Sequence, residues 1–319
     1  MRKEKKKSKK KEDKTEDVIE GEAIILSRKS MVLDPKKGLV WMDSQELEKK
    51  QKVSSLIEQG NAYHSSGNIN SAAQCYSQAL NLDPNNIVAK RNLGLIFLDV
   101  RQFEKAEQLF REILHIDPAH APTLNSMSAM FITLQKYKQA SEFVDKALAA
   151  DPSNEHSINN KLNVLKALEL YNELIPYAEE ILSANKLTTP DKQIFACYSL
   201  MIAYRMTNKL EKAIQTGNKG LDIVKKTNLQ QGLIFISYEL GIIYLTQKKF
   251  SEALSIIKPA IAIAPSHPGL LDTLGDAYFN LKQYREALQC YQAIRINQPQ
   301  FMQQTQEKIL RTKKMLGQR

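Results

Sequence analysis

The sequence predicts an all-α protein: a right-handed α-solenoid of about seven helical hairpins with a C-terminal capping helix. Two observations carry this prediction. A glycine recurs with an aromatic residue three positions later, an alanine twelve positions later and a closing proline, and the whole pattern returns after 34 residues. Periods of roughly 20–50 residues are typical of stacked repeats, so the 319 residues need not form ordinary globular domains.

The repeated positions are clearest in four repeats. The glycines are Gly60, Gly94, Gly241 and Gly275. The aromatic residues that follow are Tyr63, Phe97, Tyr244 and Tyr278, and the alanines are Ala72, Ala106, Ala253 and Ala287. Four positions beyond each alanine lie Tyr76, Phe110, Ile257 and Tyr291, and the repeats close at Pro84, Pro118, Pro265 and Pro299.

Each of these positions has a physical purpose. We expect the glycine to let two antiparallel helices approach closely, and the aromatic residue three positions on to fill the space beside that contact. Proline has no N–H and disfavours helix in the residue before it, so it ends the second helix. A hairpin this small cannot bury its apolar face alone, so neighbouring hairpins must stack on it.

The repeats follow one another along most of the chain. They start at residues 53, 87, 121, 155, 194, 234 and 268. Ser128 replaces the glycine of the third repeat, and Met201 replaces that of the fifth. The repeat at 155–188 is degenerate: Leu162, Ala178 and Ile181 fit, but Leu174 stands in place of the alanine.

These residues resemble the tetratricopeptide repeat family over residues 53–301, with the pairs Leu93-Gly94, Leu240-Gly241 and Leu274-Gly275 ahead of their aromatic residues. The resemblance implies pairs of antiparallel helices, with the first helix of each pair lining a groove that binds a peptide or protein segment. The sixth repeat starts 40 residues after the fifth, and such longer hairpins resemble, weakly, those of bacterial peptide-responsive regulators.

The repeats divide into two expected blocks. A loop signal at Lys186–Gln193, with Pro190, predicts a front block over 53–188 and a rear block over 189–301. Pro259 is expected to kink the helix that contains it. Residues 302–319 predict a solubilising cap helix. Its apolar positions are Ile309, Leu310 and Met315.

The N-terminal 52 residues differ from the repeats. Residues 1–17 are Lys, Glu and Asp with almost no apolar residue, which predicts a disordered basic tail. Residues 18–52 are expected to be partly ordered, because apolar clusters and Trp41 flank a turn signal at Asp34–Gly38. They are predicted to dock on the solenoid as a short hairpin or as an extended ligand in its groove, or to order only on binding a partner.

The charge distribution bears on the class of partner. The net charge of +10 divides into +5 over residues 1–52, +4 over residues 302–319 and only +1 between them. A body that wraps nucleic acid should carry basic residues along one face, so nucleic acid is expected only at the Lys-rich ends. The absence of an 18-residue apolar run predicts no transmembrane segment, and three scattered cysteines predict a reducing compartment. The expected location is cytoplasmic, or nuclear if Lys5–Lys11 is an address signal.

No motif for chemistry stands out. The five histidines are isolated, and there is no HExxH, GxSxG, Walker or GxGxxG pattern. We therefore expect no catalytic residues, no metal site and no cofactor, although dispersed catalytic triads exist in other proteins.

The predicted binding surface lies on the first helices, opposite the Leu-Gly-aromatic face. Its front part is rich in amides, which can pair with the backbone of an extended peptide. These residues are Asn61, Arg91, Asn92, Asn125, Asn159 and Asn163. Its rear part is apolar and aromatic, as interface hot spots are. The rear residues are Phe195, Tyr198, Ile202, Arg205, Phe235, Tyr238 and Ile242, with Asp272 and Asp276 at the far end. The alternative interpretations are that the front amides are merely solvated and that the rear aromatic residues merely pack between hairpins.

One family-specific partner can be weighed. Chaperone-binding tetratricopeptide proteins hold a partner's terminal carboxylate with two asparagines and three basic residues. Asn61 and Asn92 match the asparagines, but Ile57, Pro122 and Ser126 stand where the basic residues belong. Without three cations a carboxylate is poorly held, so Hsp70 and Hsp90 tails are unlikely partners.

The favoured function is a non-enzymatic interaction scaffold or adaptor that binds another protein or peptide. Two alternatives remain open at this stage. One is an assembly factor that contacts nucleic acid or an acidic surface through its Lys-rich ends, which predicts steep salt dependence. The other is a peptide-responsive regulatory sensor whose rear block closes on a peptide.

Overall fold

The computed structural model describes residues 29–34, 38–297 and 302–317. Within these ranges lie two strands, β1 (Lys29–Asp34) and β2 (Gly38–Asp43), and fifteen helices. Seven of the helices are the first members of hairpins: α1 (Ser44–Ser65), α3 (Ile87–Asp99), α5 (Ala121–Thr133), α7 (Glu155–Ala167), α9 (Pro190–Met206), α11 (Gln230–Thr246) and α13 (Pro268–Asn280). Their partners are α2 (Ile69–Leu82), α4 (Phe103–Ile116), α6 (Tyr137–Ala150), α8 (Tyr171–Ser183), α10 (Leu210–Thr227), α12 (Phe250–Ile263) and α14 (Tyr284–Asn297), and α15 (Met302–Met315) follows. The predicted solenoid of helical hairpins is confirmed.

The helix contacts divide the chain into an N-terminal unit, Met1–Thr123, and a C-terminal unit, Leu124–Arg319. The N-terminal unit contains α1 to α4, and the C-terminal unit contains most of α5 and all of α6 to α15. The division lies inside α5 and not near residue 188, where the sequence predicts it. The two units are described separately below.

A two-stranded sheet precedes the helices. β1 and β2 pair antiparallel, with Met31 opposite Trp41 and Leu33 opposite Leu39. Both strands contact α1, whose N-terminus is capped by Asp43 accepting a hydrogen bond from the Gln45 backbone N–H. β1 and β2 thus form an antiparallel pair that contacts α1. The expectations for residues 1–28 lie outside the described residues.

The close contact inside each hairpin differs in one respect from its prediction. A Cβ added at Gly60, Gly94 or Gly275 would lie 2.5 Å from a ring atom of the second helix: Tyr76, Phe110 or Tyr291 respectively. The ring that fills the space thus comes from the second helix. The aromatic residue three positions after the glycine does not supply it, and Tyr63 is 42% exposed. Its place near the end of the first helix, one turn beyond the glycine, carries it away from the contact.

In the fifth repeat the large residue of the contact lies on the first helix and the small residue on the second. Met201, which replaces the glycine of α9, is fully buried, and its partner position on α10 is Gly217. A Cβ on Gly217 would lie 2.8 Å from Cε of Met201 and 2.7 Å from Leu240. The small residue has moved from the first helix to the second, so the helices still approach closely. Leu162 and Ala178, both fully buried, show the same order in the degenerate repeat.

The turn between the two helices of each hairpin has one recurring geometry. In the second repeat the Gln102 N–H donates to the Phe97 carbonyl at 2.7 Å, and Arg101 has a φ of 59°. This is the Schellman arrangement, in which a left-handed residue ends the helix. Equivalent left-handed residues recur in the other repeats: Gly67, Gln135, Glu169, Asn208, Lys248 and Lys282. The aromatic residue after the glycine therefore supplies the carbonyl that ends the first helix.

The loop between α8 and α9 is held to α7 by one carboxylate. Glu155 accepts hydrogen bonds from the backbone and hydroxyl of Thr188 and from the hydroxyl of Thr189, and Lys192 Nζ lies 3.1 Å from its Oε2. Leu187, 2% exposed, packs into the core beside them. These contacts explain why the predicted loop does not separate two blocks.

The residues added between the fifth and sixth repeats lengthen helices. α9, α10 and α11 have 17, 18 and 17 residues, whereas their neighbours α8 and α12 have 13 and 14. Asn228 in the left-handed conformation ends α10 just before α11 begins. Pro259 lies inside α12, which continues to Ile263.

The cap helix α15 buries a different stripe from the one predicted. Thr305, Ile309 and Thr312 are buried, whereas Leu310 and Met315 are 56% and 52% exposed. The buried residues are spaced by three and four, as one helical face requires. Two threonines therefore belong to the packed face, which a search for apolar residues alone overlooks.

We predict that Gly275→Ala destabilises the protein although alanine is the better helix former by about 1 kcal/mol. The added Cβ would overlap the Tyr291 ring, and overpacking of this kind costs about 1–3 kcal/mol. Urea unfolding of the full chain measures the effect. In a Tyr291→Leu background the alanine should cost much less, and an equal cost in both backgrounds would contradict the proposed overlap.

We predict that Glu155→Gln lowers the free energy of unfolding by about 1.5–3 kcal/mol at pH 7, because it removes hydrogen bonds to a charged acceptor. The Thr188 and Thr189 hydrogen bonds hold the pKa of Glu155 well below its ordinary value of 4.5. The stabilisation is thus complete above pH 4.5 and is lost as the pH falls below that value. Urea unfolding at pH 7, 4 and 3 should show wild type and variant converging. Glu180→Gln, which removes only an exposed ion pair with Lys186, is the control and should change little.

Candidate functional site

All fifteen residues of the predicted binding surface lie on first helices of hairpins, namely α1, α3, α5, α7, α9, α11 and α13. In the C-terminal unit, α7 contacts α9, α9 contacts α11 and α11 contacts α13, so these helices form one row. The side chains are considered from the N-terminal unit onward.

In the N-terminal unit the predicted amides bond to one another. Asn61 Oδ1 accepts from the Tyr76 hydroxyl at 2.8 Å and from Asn92 Nδ2 at 2.9 Å. Arg91 is half-buried, and no acceptor among the described residues lies within hydrogen-bond distance of its Nε. Burial lowers the pKa of Arg91. This part of the surface therefore combines an amide pair that joins two hairpins with an unmatched donor.

The C-terminal unit repeats this arrangement on α5 and α7. Asn125 Oδ1 accepts from Asn160 Nδ2 at 2.8 Å and from the Ser157 hydroxyl at 3.2 Å. Asn159 and Asn163 are half-buried on α7. Within the described residues, Asn159 Oδ1 is buried without a hydrogen-bond donor. Asn160 and Ser157 were not predicted, although they lie next to predicted positions.

An aromatic cluster lies on α9 and α11. The Tyr198 ring is 5.6 Å from the Phe235 ring and 6.5 Å from the Phe195 ring, measured between centroids. Lys166 from α7 places its Nζ 4.5 Å from the Phe195 centroid and 5.1 Å from that of Tyr198. Phe195 and Tyr198 pack partly against the core, whereas Phe235 is 37% exposed. The cluster is thus both a contact between hairpins and an accessible apolar surface.

A buried ion pair adjoins the aromatic cluster. Arg205 on α9 donates from Nε to Glu239 on α11, whose side chain is 2% exposed. Burial raises the pKa of Glu239, and the hydrogen bond from Arg205 opposes that rise. Burial also lowers the pKa of Lys166, while the charge of Glu239 opposes this change. Two cations, Lys166 and Arg205, and one carboxylate, Glu239, therefore lie at the aromatic cluster. The carboxylate already accepts a hydrogen bond from Arg205.

The remaining apolar residues extend the surface along the same helices. Ile202 and Ile242 are half-buried on α9 and α11. Tyr238 lies farther along, with its ring 5.9 Å from that of His267 and against Gly269, where a Cβ would lie 2.7 Å from the ring. The structure thus places Tyr238 against the start of α13.

The two predicted acids are paired with the cap helix. Lys308 on α15 lies 2.7 Å from Asp272 Oδ1 and 2.8 Å from Asp276 Oδ1, and Asp276 also accepts from the Tyr291 hydroxyl at 2.7 Å. Burial alone would lower the pKa of Lys308, but the hydrogen bonds with the two aspartates raise it. Asp272 and Asp276 therefore fasten the cap to the last hairpin.

Sequence reasoning missed three charged members of this surface: Lys166, Glu239 and Lys308. The sequence contains a signal that could have identified such contacts, because the hydrogen-bonded partners lie about one repeat apart. Arg205 and Glu239 are separated by 34 residues, and Asn61 and Asn92 by 31. Complementary polar residues at such separations, both on first helices, predict a bond between neighbouring hairpins.

Comparison with known proteins agrees with the repeat geometry. A family model described as a TPR repeat matches residues 60–100, and a tetratricopeptide repeat model matches residues 244–306. The chain contains tetratricopeptide repeats. Proteins of this kind are generally non-enzymatic interaction scaffolds.

Solved structures share the fold. A tetratricopeptide repeat protein from Parabacteroides merdae superposes with a TM-score of 0.61 at 15% identity, covering 82% of this chain and 99% of that one. PilF of Pseudomonas aeruginosa gives 0.57 at 17% identity, covering 70% and 96%. A chain of the APC/C hetero-tetramer Cut9–Hcn1 gives 0.58 at 18% identity, covering 72% and 43%. At these identities the likeness concerns the fold alone.

The described part of the chain also bears on two other kinds of site, a metal centre and a membrane span. No group of three His, Cys, Asp or Glu side chains there is arranged to hold a metal ion. No helix there is long and apolar enough to cross a bilayer. The three cysteines, Cys75, Cys197 and Cys290, are buried free thiols.

We predict that Arg205→Met destabilises the protein by about 3 kcal/mol at pH 7, because it leaves Glu239 buried without its partner. The pKa of Glu239, already raised by burial, should rise further. A raised pKa in the folded state means that the free energy of unfolding increases as the pH falls. Urea unfolding at pH 7.5 and 5.5 should show this increase in the variant. Adding Glu239→Gln should remove the pH dependence and restore part of the stability, and a variant without pH dependence would contradict the assignment.

Proposed function

We infer that this protein is an interaction scaffold that binds an extended segment of another protein along the first helices of its hairpins, with the aromatic cluster of α9 and α11 as its main anchor site. The observation that carries this proposal is the exposed Phe235 ring beside Tyr198 and Phe195, with Lys166 over two of the rings. Aromatic side chains of this kind dominate interface energies.

The cluster favours a partner segment with a large apolar side chain. The rings are already fixed by contacts with the core and with each other, so little side-chain freedom is lost on binding. An apolar side chain placed against Phe235 would remove both surfaces from water. This burial would stabilise the complex by about 25 cal/mol per Å² of apolar area. This supports an anchor of one or two apolar residues.

The charges favour an acidic residue near that anchor. Glu239 is already bonded to Arg205, whereas no carboxylate in the described ranges forms an ion pair with Lys166. A partner carboxylate beside Lys166 would supply a counter-ion at a site where burial lowers the pKa of the lysine. The proposed segment therefore carries an aspartate or glutamate within a few residues of its apolar anchor.

The amide of Asn159 on α7 supports main-chain recognition beside the anchor. Its carbonyl oxygen is buried without a hydrogen-bond donor among the described residues. A backbone N–H of the partner segment could satisfy it. In the N-terminal unit, Arg91 Nε likewise has no acceptor among the described residues. Asn61 and Asn125 contribute less than their residue type suggests, because their carbonyl oxygens already accept two hydrogen bonds each.

The test is a selection of random 12-residue peptides, displayed on phage, against the full chain. We predict that the enriched peptides share an aromatic or large aliphatic residue close to an aspartate or glutamate. Synthetic versions should bind Phe235→Ala and Tyr198→Ala about five- to thirtyfold more weakly, since each substitution removes a hot-spot contact of about 1–2 kcal/mol. Fluorescence anisotropy measures the affinity.

Tyr63→Ala is the matched control, since it removes an exposed ring on α1 that lies outside the cluster. It should leave the affinity unchanged. Selected peptides that bind Phe235→Ala and Tyr198→Ala as tightly as wild type would overturn the proposal. Loss of all binding on deleting residues 1–14, with steep salt dependence, would favour the Lys-rich tail instead.

A further inference from the structure

A second concave site lies away from the first-helix surface, between α8 and α10. It is a pit of about 440 Å³ whose floor is formed by α9. Its apolar lining consists of Ile181, Leu182, Leu187, Cys197, Leu200 and Ile223. The polar lining is Glu179, Ser183, Asn185, Gln193, Tyr204, Lys212, Gln215, Thr216 and Lys219. None of these residues belongs to the aromatic cluster.

The pit lies where α8 and α10 both pack on α9. α8 ends at Ser183, and α10 continues to Thr227. The loop after α8 contributes Asn185 and Leu187 to the lining. That loop is fixed, because Gln193 Nε2 donates to the Leu187 carbonyl at 2.6 Å and Leu187 is 2% exposed. The pit thus has a rigid wall at this end.

Polar contacts close the opposite end. The Tyr204 hydroxyl donates to Glu179, and Lys212 Nζ lies 3.8 Å from Glu179 Oε1. Glu179 is therefore already bonded, and these three side chains form a second wall. A hollow bounded at both ends holds one compact molecule, whereas an open furrow between helices would not define its length.

The charge inside the pit is positive. Glu179 is matched by Lys212, which leaves the ammonium of Lys219, and no carboxylate of the described residues lies within ion-pair distance of it. The Lys219 charge reaches the floor, because it opposes the rise that burial causes in the pKa of the Cys197 thiol. The amide of Gln215 lies on α10 one turn before Lys219 and adds a hydrogen-bond donor at the same rim.

We propose that this pit binds a small amphipathic anion, with an apolar body on the α9 floor between Leu182 and Ile223 and a carboxylate or sulfonate head at Lys219 and Gln215. Its volume lies in the range of about 300–1,000 Å³ that is usual for small-molecule sites. Small-molecule sites usually combine apolar side chains with converging polar groups, and the lining of this pit contains both. None of the residues that line the pit belongs to the predicted peptide-binding surface, so the two ligands would use different side chains.

The test uses the full chain and two probes: 1-anilinonaphthalene-8-sulfonate, whose fluorescence rises in apolar sites, and decanoate as a competitor. We expect saturable binding of one molecule of the fluorescent probe per chain, with displacement by decanoate. Lys219→Met should weaken binding about tenfold, the effect of losing one charge-assisted contact. Ser183→Phe should abolish it, because the exposed Ser183 lies on the rim and a phenyl ring there would fill the pit.

The controls separate this site from the aromatic cluster. Lys226→Met changes an exposed lysine in the last turn of α10 outside the pit, and it should bind the probe like wild type. Phe235→Ala should also bind it like wild type, even though it weakens peptide binding. Non-saturable fluorescence, or equal affinity in wild type, Lys219→Met and Ser183→Phe, would overturn the proposal. Loss of probe binding in Phe235→Ala alone would assign the probe to the cluster and would equally overturn it.

Discussion

The structure depends on a match of one small and one large residue across each helical hairpin. Where the first helix has glycine, the second helix has Tyr76, Phe110, Ile257 or Tyr291 lying directly on it. Because a Cβ at these glycines would overlap that side chain, the distance between the two helices is set by this pair. Every later feature, from the row of first helices to the spacing of their side chains, follows from that distance. The constraint concerns the sum of the two volumes, which is why Met201 and Gly217 can exchange sizes.

A consequence is that the exposed surface and the contacts between hairpins share residues. Asn61, Asn125 and Asp276 all lie on first helices, and each accepts hydrogen bonds from a residue of a later hairpin or of the cap. The same applies to Arg205, whose partner Glu239 is on the next first helix. Substitutions along this surface will therefore change stability as well as binding. Phe235 is better suited to test binding, because its ring is partly exposed.

The sequence predicted the fold well because its repeated residues act locally. Gly60 and Tyr76 belong to one hairpin, so a pattern within 34 residues contains the whole interaction. The positions of the surface residues followed from the same period. The sequence did not show which of these residues are free to bind a partner. That depends on hydrogen bonds such as the one from Lys308 to Asp272, which spans 36 residues and joins different elements. The boundary within α5 also escaped prediction, because the loop signal at Lys186–Gln193 says nothing of the four hydrogen-bond donors that Glu155 draws together.

The inter-helix turns have a further consequence for the stability of the array. In six of the seven hairpins the left-handed residue is not glycine, and L-residues in this conformation carry a steric cost of about 1–2 kcal/mol. The cost is distributed evenly, one turn per hairpin, with Gly67 relieving it only in the first. A glycine placed at one of these six positions would remove the steric part of that cost without touching the contacts between hairpins.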